Sequence, residues 1–147
     1  MRQTAEYGPK PPGEDRHALA VRVYYEDTDA GGVVYYANYL RFLERARTEF
    51  LRRLGYGQAD LAQTTGLAFA VRSISAEYLL PARLDDELVV TCSIESLGRA
   101  QVGFGQRVLR GGDLLLEARV RVACFELARG KAAPMPRELH EKLKAFI

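Results

Sequence analysis

The stretch L-A-V-R-V-Y-Y at 19–25 places Val21, Val23 and Tyr25 at every second position. This two-residue period in a β-branched and aromatic run predicts a strand over 19–25 with those three side chains on one face. A polar, glycine-containing stretch, 26–32, ends it. From 38 to 54 the period changes, and Tyr39, Leu43, Ala46, Phe50 and Leu54 recur at steps of three and four. That spacing predicts a helix roughly 24 Å long with a single apolar stripe. Gly55 stands where a left-handed residue closes such a helix, and 57–66, bracketed by Gly57 and Gly66, reads as a short irregular connection.

Four strand-like runs follow, at 67–79, 87–97, 100–109 and 114–127, with turns at 81–86, at Gly98-Arg99 and at Gly111-Gly112-Asp113. Connections this short place neighbouring strands antiparallel. After Pro134 and Pro136, the spacing of Leu139, Leu143, Phe146 and Ile147 predicts a short docking helix over 137–147. Strands and helices do not alternate as they must in a parallel sheet, so the class is α+β. Five antiparallel strands and one long helix are most economically arranged as a sheet curled around that helix. Its open edges invite pairing between copies of the chain. Residues 1–18 carry Gly8, Pro9, Pro11, Pro12 and Gly13 among charges and are expected to form a flexible tail, leaving 19–147 as the folded domain.

Composition narrows the function. The 147 residues suit one domain with a sizeable core, and 48% hydrophobic residues exclude disorder for most of the chain. A net charge of +2 argues against a nucleic-acid binder that works by bulk electrostatics. Cys92 and Cys124, the only cysteines, lie in apolar runs, are too few for a zinc site and suit a reducing compartment. No apolar stretch approaches the ~20 residues of a membrane span and no signal-like segment leads the chain, so the cytoplasm is expected.

Candidate chemistry concentrates in the loop E-D-T-D-A-G-G at 26–32. Asp27 and Asp29 can serve simply as turn formers, with their oxygens on nearby backbone N–H groups. A calcium loop of the EF-hand type fails, because its fifth and twelfth places fall on Gly31 and Asn38. The D-x-D-x-T pattern of certain phosphatases fails at Gly31 as well, and it requires a parallel α/β sheet. His17 and His140 are the only histidines, one expected in the tail and one in the last helix, both solvated. With no G-x-S-x-G, and Ser73, Ser75, Ser93 and Ser96 all in strands, a serine or cysteine hydrolase has no triad to build. The remaining apparatus is an Asp on a constrained loop, followed by a helix N-terminus whose free N–H groups can polarise a carbonyl.

The run Y-Y-E-D-T-D-A-G-G-V-V-Y-Y-A-N-Y-L-R-F-L-E-R-A-R-T-E at 24–49, with P-A-R-L-D-D at 81–86 and A-C-F-E-L followed by K-A-A-P-M-P at 123–136, resembles a known signature. It is that of hotdog-fold acyl-CoA thioesterases of the 4-hydroxybenzoyl-CoA thioesterase superfamily, most closely their Tol-Pal-associated branch. The resemblance spans 19–144. It implies the hotdog fold, hydrolysis of acyl-CoA to CoA and a carboxylate without metal or other cofactor, acyl carrier protein as an alternative carrier, and a homodimer or homotetramer. By this resemblance Asp29, the second Asp of D-x-D, is the catalytic carboxylate, acting either as nucleophile or as general base. The backbone N–H of Tyr36 holds the thioester oxygen. Many members of the branch carry His at that place, and Tyr36 is nearer to the aromatic-acyl branch.

Other hotdog thioesterases place their carboxylate on the central helix, which makes Glu44 a secondary catalytic candidate. Pairing with Arg41 is the plainer role for it. Relatives place basic residues near the CoA phosphates where Arg99 occupies a turn; a solvated hairpin tip is the alternative. Phe69 and Ala70 are expected to line the acyl pocket, with core packing the alternative for Phe69. The rival function is a non-catalytic hotdog that binds acyl-CoA or acyl carrier protein and has no need of Asp29. A hotdog dehydratase would need a histidine near the helix.

Overall fold

The apolar stripe of the long helix α1 (Tyr39–Arg53) buries Tyr39, Phe42, Leu43, Ala46, Phe50 and Leu51. A curled antiparallel sheet receives them. The structure is a computed structural model and describes residues 17–147. Its strands are β1 (His17–Arg22), β2 (Leu67–Tyr78), β3 (Glu87–Leu97), β4 (Gln101–Arg110), β5 (Asp113–Glu126) and the two-residue β6 (Lys131–Ala132). They lie in the order β1-β3-β4-β5-β2, every pair antiparallel, with β6 added beside β5. Alternate residues of β3, β4 and β5, such as Leu88, Val90, Phe104, Val108, Leu116 and Val120, close on α1. Each fully buried Leu or Phe contributes about 1.5–3 kcal/mol by leaving water. The short helix α3 (Arg137–Lys144) docks through Leu139 and Leu143.

The curled sheet around one long helix agrees with the sequence reading, and four strands match it to within a residue at each end. The differences have identifiable causes. The connection at 81–86 does not join antiparallel neighbours, because β2 crosses the sheet to pair with β5 and leaves β3 to β1 and β4. The connection read as irregular contains a helix, α2 (Gln58–Thr65), which buries only Leu61 and so shows almost no apolar period; Gly66, at φ 74°, closes it. The first strand runs 17–22 rather than 19–25. Val23 leaves the ladder because its N–H and C=O bond instead to Asp86 and Asp85, at 2.9 and 3.0 Å. Val21 and Val23 are buried as expected, but Tyr25 enters a 3-10 turn (Tyr25–Asp27) and is 82% exposed. Of the expected tail, 1–16 lies outside the described residues, whereas His17 and Ala18 begin β1 opposite Cys92 and Thr91. His17 is therefore buried, against Phe50, and not solvated. The last helix stops at Lys144, short of the expected 147.

Cys92 of β3 and Cys124 of β5 are buried free thiols, and burial pushes both pKa values up. No helix among the described residues is long and apolar enough to cross a membrane.

Candidate active site

The loop after β1 is built on Asp27. Its side chain is buried, with Oδ2 accepting from the N–H of Tyr24 and Oδ1 from Asn38 Nδ2, both at 2.8 Å. Its carbonyl accepts from the N–H of Tyr35 at 2.9 Å, so one residue ties the end of the strand to the entrance of α1. Asp29, two residues on, is exposed. Its Oδ1 accepts from the N–H of Gly31 at 2.8 Å, an Asx turn, and no acceptor bond to Oδ2 forms among the described residues. A Cβ at Gly31 would stand 3.3 Å from Asp29 Oδ1, close enough to press on that oxygen, and Gly32 takes φ +81°, which favours glycine. Val34 then fastens the loop, its N–H bonding the carbonyl of Ala82 at 2.8 Å.

Tyr36 opens a 3-10 turn (Tyr36–Asn38) that leads into α1. Among the described residues its N–H has no acceptor. Its ring is exposed and its carbonyl accepts from the hydroxyl of Tyr78 at 2.9 Å, which anchors the helix entrance to the far end of β2. Burial and the neighbouring Tyr36 raise the pKa of Tyr78, so it stays a neutral donor. Tyr39, buried beside it, accepts the N–H of Ala82 at 3.0 Å.

A cavity of about 120 Å³ lies between α1, α2 and the sheet, and Glu44, Phe69 and Ala70 all line it. Asp29, Tyr36 and Arg99 do not. Glu44 stands exposed at its rim and, among the described residues, forms no ion pair with Arg41. Phe69 is half-buried. Arg99 occupies the exposed β3–β4 turn, at the same end of the sheet: Ala100 accepts from the N–H of Cys124, whose β2 partner is Phe69. A larger groove of about 520 Å³ runs along β1, with Arg22, Arg45 and Arg53 interleaved with Glu26 and Glu49. Among the described residues no cluster of three or more His, Cys, Asp or Glu comes together to hold a metal.

The profile of the Thioesterase-like superfamily matches residues 23–143 of this chain, from the site loop through α3. The chain belongs to the thioesterase-like superfamily. It is 47% identical over 122 residues to the acyl-CoA thioesterase YbgC of Haemophilus influenzae, covering 83% of this chain and 90% of that one. It is 45% identical over 125 residues to the acyl-CoA thioester hydrolase YbgC of an Escherichia coli O6:H1 strain, covering 84% and 92%. Among solved structures, a probable thioesterase from Bartonella henselae superposes with TM-score 0.78 at 37% identity, covering 83% of this chain and all of that one. These relatives agree with the Tol-Pal-associated branch to which the three sequence segments pointed.

Three polar residues of this thioesterase-like chain escaped the sequence reading. Asn38 orients Asp27. Arg47 is 9% exposed on the apolar side of α1 and donates to Gln106 Oε1 at 3.0 Å. Both members of that pair were visible as anomalies: Arg47 stands four residues after Leu43 on the stripe, and Gln106 takes an inward place between Phe104 and Val108. A polar residue at an apolar period is a signal of buried polar pairing.

Proposed function

We propose that this protein hydrolyses acyl-CoA thioesters to CoA and a carboxylic acid, with Asp29 as the catalytic carboxylate. The observation that carries this reading is the division of labour within D-T-D: Asp27 has both oxygens committed and buried, whereas Asp29 is held by one oxygen and presents the other to solvent beside a helix entrance. The N–H of Tyr36 is the donor for the thioester oxygen as negative charge develops on it. In the general-base route Asp29 takes a proton from the water that attacks the carbonyl carbon. In the nucleophilic route its oxygen attacks, a mixed anhydride forms and water cleaves it. The C–S bond breaks in either case and the CoA sulfur leaves as thiolate.

The site is proposed to be shared between two copies. Within one chain Tyr36 is anchored at Tyr78, while the cavity lies at Ala70, about 25 Å away along β2 at ~3.3 Å per residue. β2 is also an open edge whose Val71, Ile74 and Tyr78 are 50%, 41% and 48% exposed. Antiparallel pairing of two such edges about Ile74 sets Ala70 of one copy against Tyr78 of the other, which brings the acyl cavity to the Asp29 loop. Arg99 is assigned to the CoA phosphates, acyl carrier protein remains the alternative carrier, and the free buried thiols suit the cytoplasm.

Release of free thiol over a panel of aliphatic and aromatic acyl-CoAs, and of acyl carrier protein thioesters, tests this reading. Asp29→Asn keeps the turn hydrogen bond but loses charge and basicity. It is expected to lower kcat at least about a hundredfold, the usual worth of general-base help, with acyl-CoA still bound. A folded Asp29→Asn protein within about threefold of wild type, beside an inactive Glu44→Gln, would move the chemistry to the helix. Binding without turnover by the wild type would favour the non-catalytic alternative.

A further inference from the structure

Tyr36 lies between two peptide planes, and one hydrogen bond holds each of them. The plane that carries its N–H is held through the carbonyl of Tyr35, which accepts from the N–H of Asn38 at 2.8 Å. That bond closes within the 3-10 turn, so it sets the shape of the turn and not its position. The next plane is held by the Tyr78 hydroxyl, which donates to the Tyr36 carbonyl at 2.9 Å from 42 residues away. A third bond, from the N–H of Tyr35 to the carbonyl of Asp27 at 2.9 Å, ties the turn to the site loop. Of the three, the Tyr78 bond alone reaches the sheet. Tyr78 is itself braced: its backbone ends β2 opposite Leu116 of β5, and its ring meets that of the buried Tyr39 edge-on, with centroids 5.5 Å apart and planes at 78°. Burial and the neighbouring Tyr36 hold its pKa above the ordinary 10.0, so at neutral pH the hydroxyl keeps the hydrogen that it donates.

A backbone N–H that stabilises a developing oxyanion works only while it stays aimed at the place the oxygen will occupy. A misplacement of about 1 Å costs on the order of a hundredfold in rate. The bond from Tyr78 to Tyr36 is exposed, so water can replace the hydroxyl at little cost in folding energy. A water, however, is not fixed to the sheet. We infer that Tyr78 is a positioning residue for thioester hydrolysis: its hydroxyl anchors the turn to the sheet and keeps the Tyr36 N–H aligned with the thioester oxygen. This rests on the reading of the Tyr36 N–H as the oxyanion donor and deepens it.

Tyr78→Phe keeps the ring and removes only the hydroxyl. On an acyl-CoA that the wild type cleaves, kcat is expected to fall about tenfold, less than loss of the donor itself would cost, with KM within about twofold. The urea midpoint should stay near that of the wild type. A merely structural hydroxyl would move the midpoint and leave kcat unchanged. Replacing Tyr78 by a ring-fluorinated tyrosine gives a second readout, because its more acidic hydroxyl loses the donated proton at a lower pH. Its kcat is expected to fall at a pH below any alkaline fall of the wild type. Wild-type kcat in a folded Tyr78→Phe protein overturns the inference, as does a loss carried by KM alone, and the thioesterase reading then stands. Should Tyr78→Phe not fold, the fluorinated protein decides, and an unmoved pH profile overturns the inference. Failure of the wild type to cleave any acyl-CoA of the panel removes the thioesterase reading and this inference together.

Discussion

Asp27 offers two acceptors to two donors, the N–H of Tyr24 and the amide of Asn38, inside a buried pocket. An amide in its place has one acceptor, so Asp27→Asn turns an NH₂ group toward a donor and leaves buried hydrogen-bonding groups unpaired. The expected loss is about 1–3 kcal/mol in urea unfolding. Asp29→Asn, exposed and still able to accept from Gly31, is expected to unfold like wild type. Equal destabilisation by the two would contradict the division of roles. The arginine proposed for CoA makes a different kind of contribution, because phosphate binding is common to ground and transition states. Arg99→Ala is therefore expected to raise KM with kcat nearly unchanged, and the penalty should shrink as salt rises. An unchanged KM at low salt would return Arg99 to a solvated turn.

β1 is an edge strand whose first residue is a buried histidine. Arg53 donates to His17 Nδ1, which leaves Nε2 to carry the proton, and that nitrogen has no partner among the described residues. Desolvation and then the Arg53 charge lower the His17 pKa, and Glu49 only partly offsets them. The folded protein thus resists a proton that the unfolded chain accepts near its ordinary value of 6.5. Above that pH both states are neutral and the folded state keeps its full margin. As pH falls below 6.5 the unfolded state gains the proton first and stability drops, levelling only below the folded pKa. Unfolding free energy measured from about pH 7.5 to about pH 5 should show this fall, and His17→Leu should flatten it. The same slope in His17→Leu would assign the dependence to other groups.

At the scale of the whole molecule, the concave side of β2 is where the chain is unfinished. Ile74 shares a face with Val120 of β5 at the buried side of the sheet, yet α1 does not reach far enough to cover it. A second copy covering that stripe also completes the proposed site, so assembly and activity should be lost together. Ile74→Asp is expected to shift the sedimenting species from dimer to monomer, with thioester hydrolysis reduced in proportion. A monomeric wild type with full turnover would separate the two and leave Asp29 to work within one chain.

Periodicity is a local property, and it was enough to define four strands and the long helix, because an element must present its apolar residues at its own repeat to be buried; the short turns gave the antiparallel neighbours β3, β4 and β5, but not the pairing of β2 with β5 instead of β3. The site loop was legible for a related reason: D-T-D-A-G-G is a contiguous turn whose glycines and carboxylates form their hydrogen bonds within a few residues. Tertiary structure decided what depends on residues far apart in the chain. Val23 leaves its strand because of Asp85 and Asp86, His17 is buried by Phe50 and Arg53, and the pairing of Arg47 with Gln106 joins residues 59 apart. Only the folded sheet could place the Asp29 loop and the cavity beside Ala70 toward opposite ends of β2, since neither the loop nor the strand carries in its own sequence the distance between them.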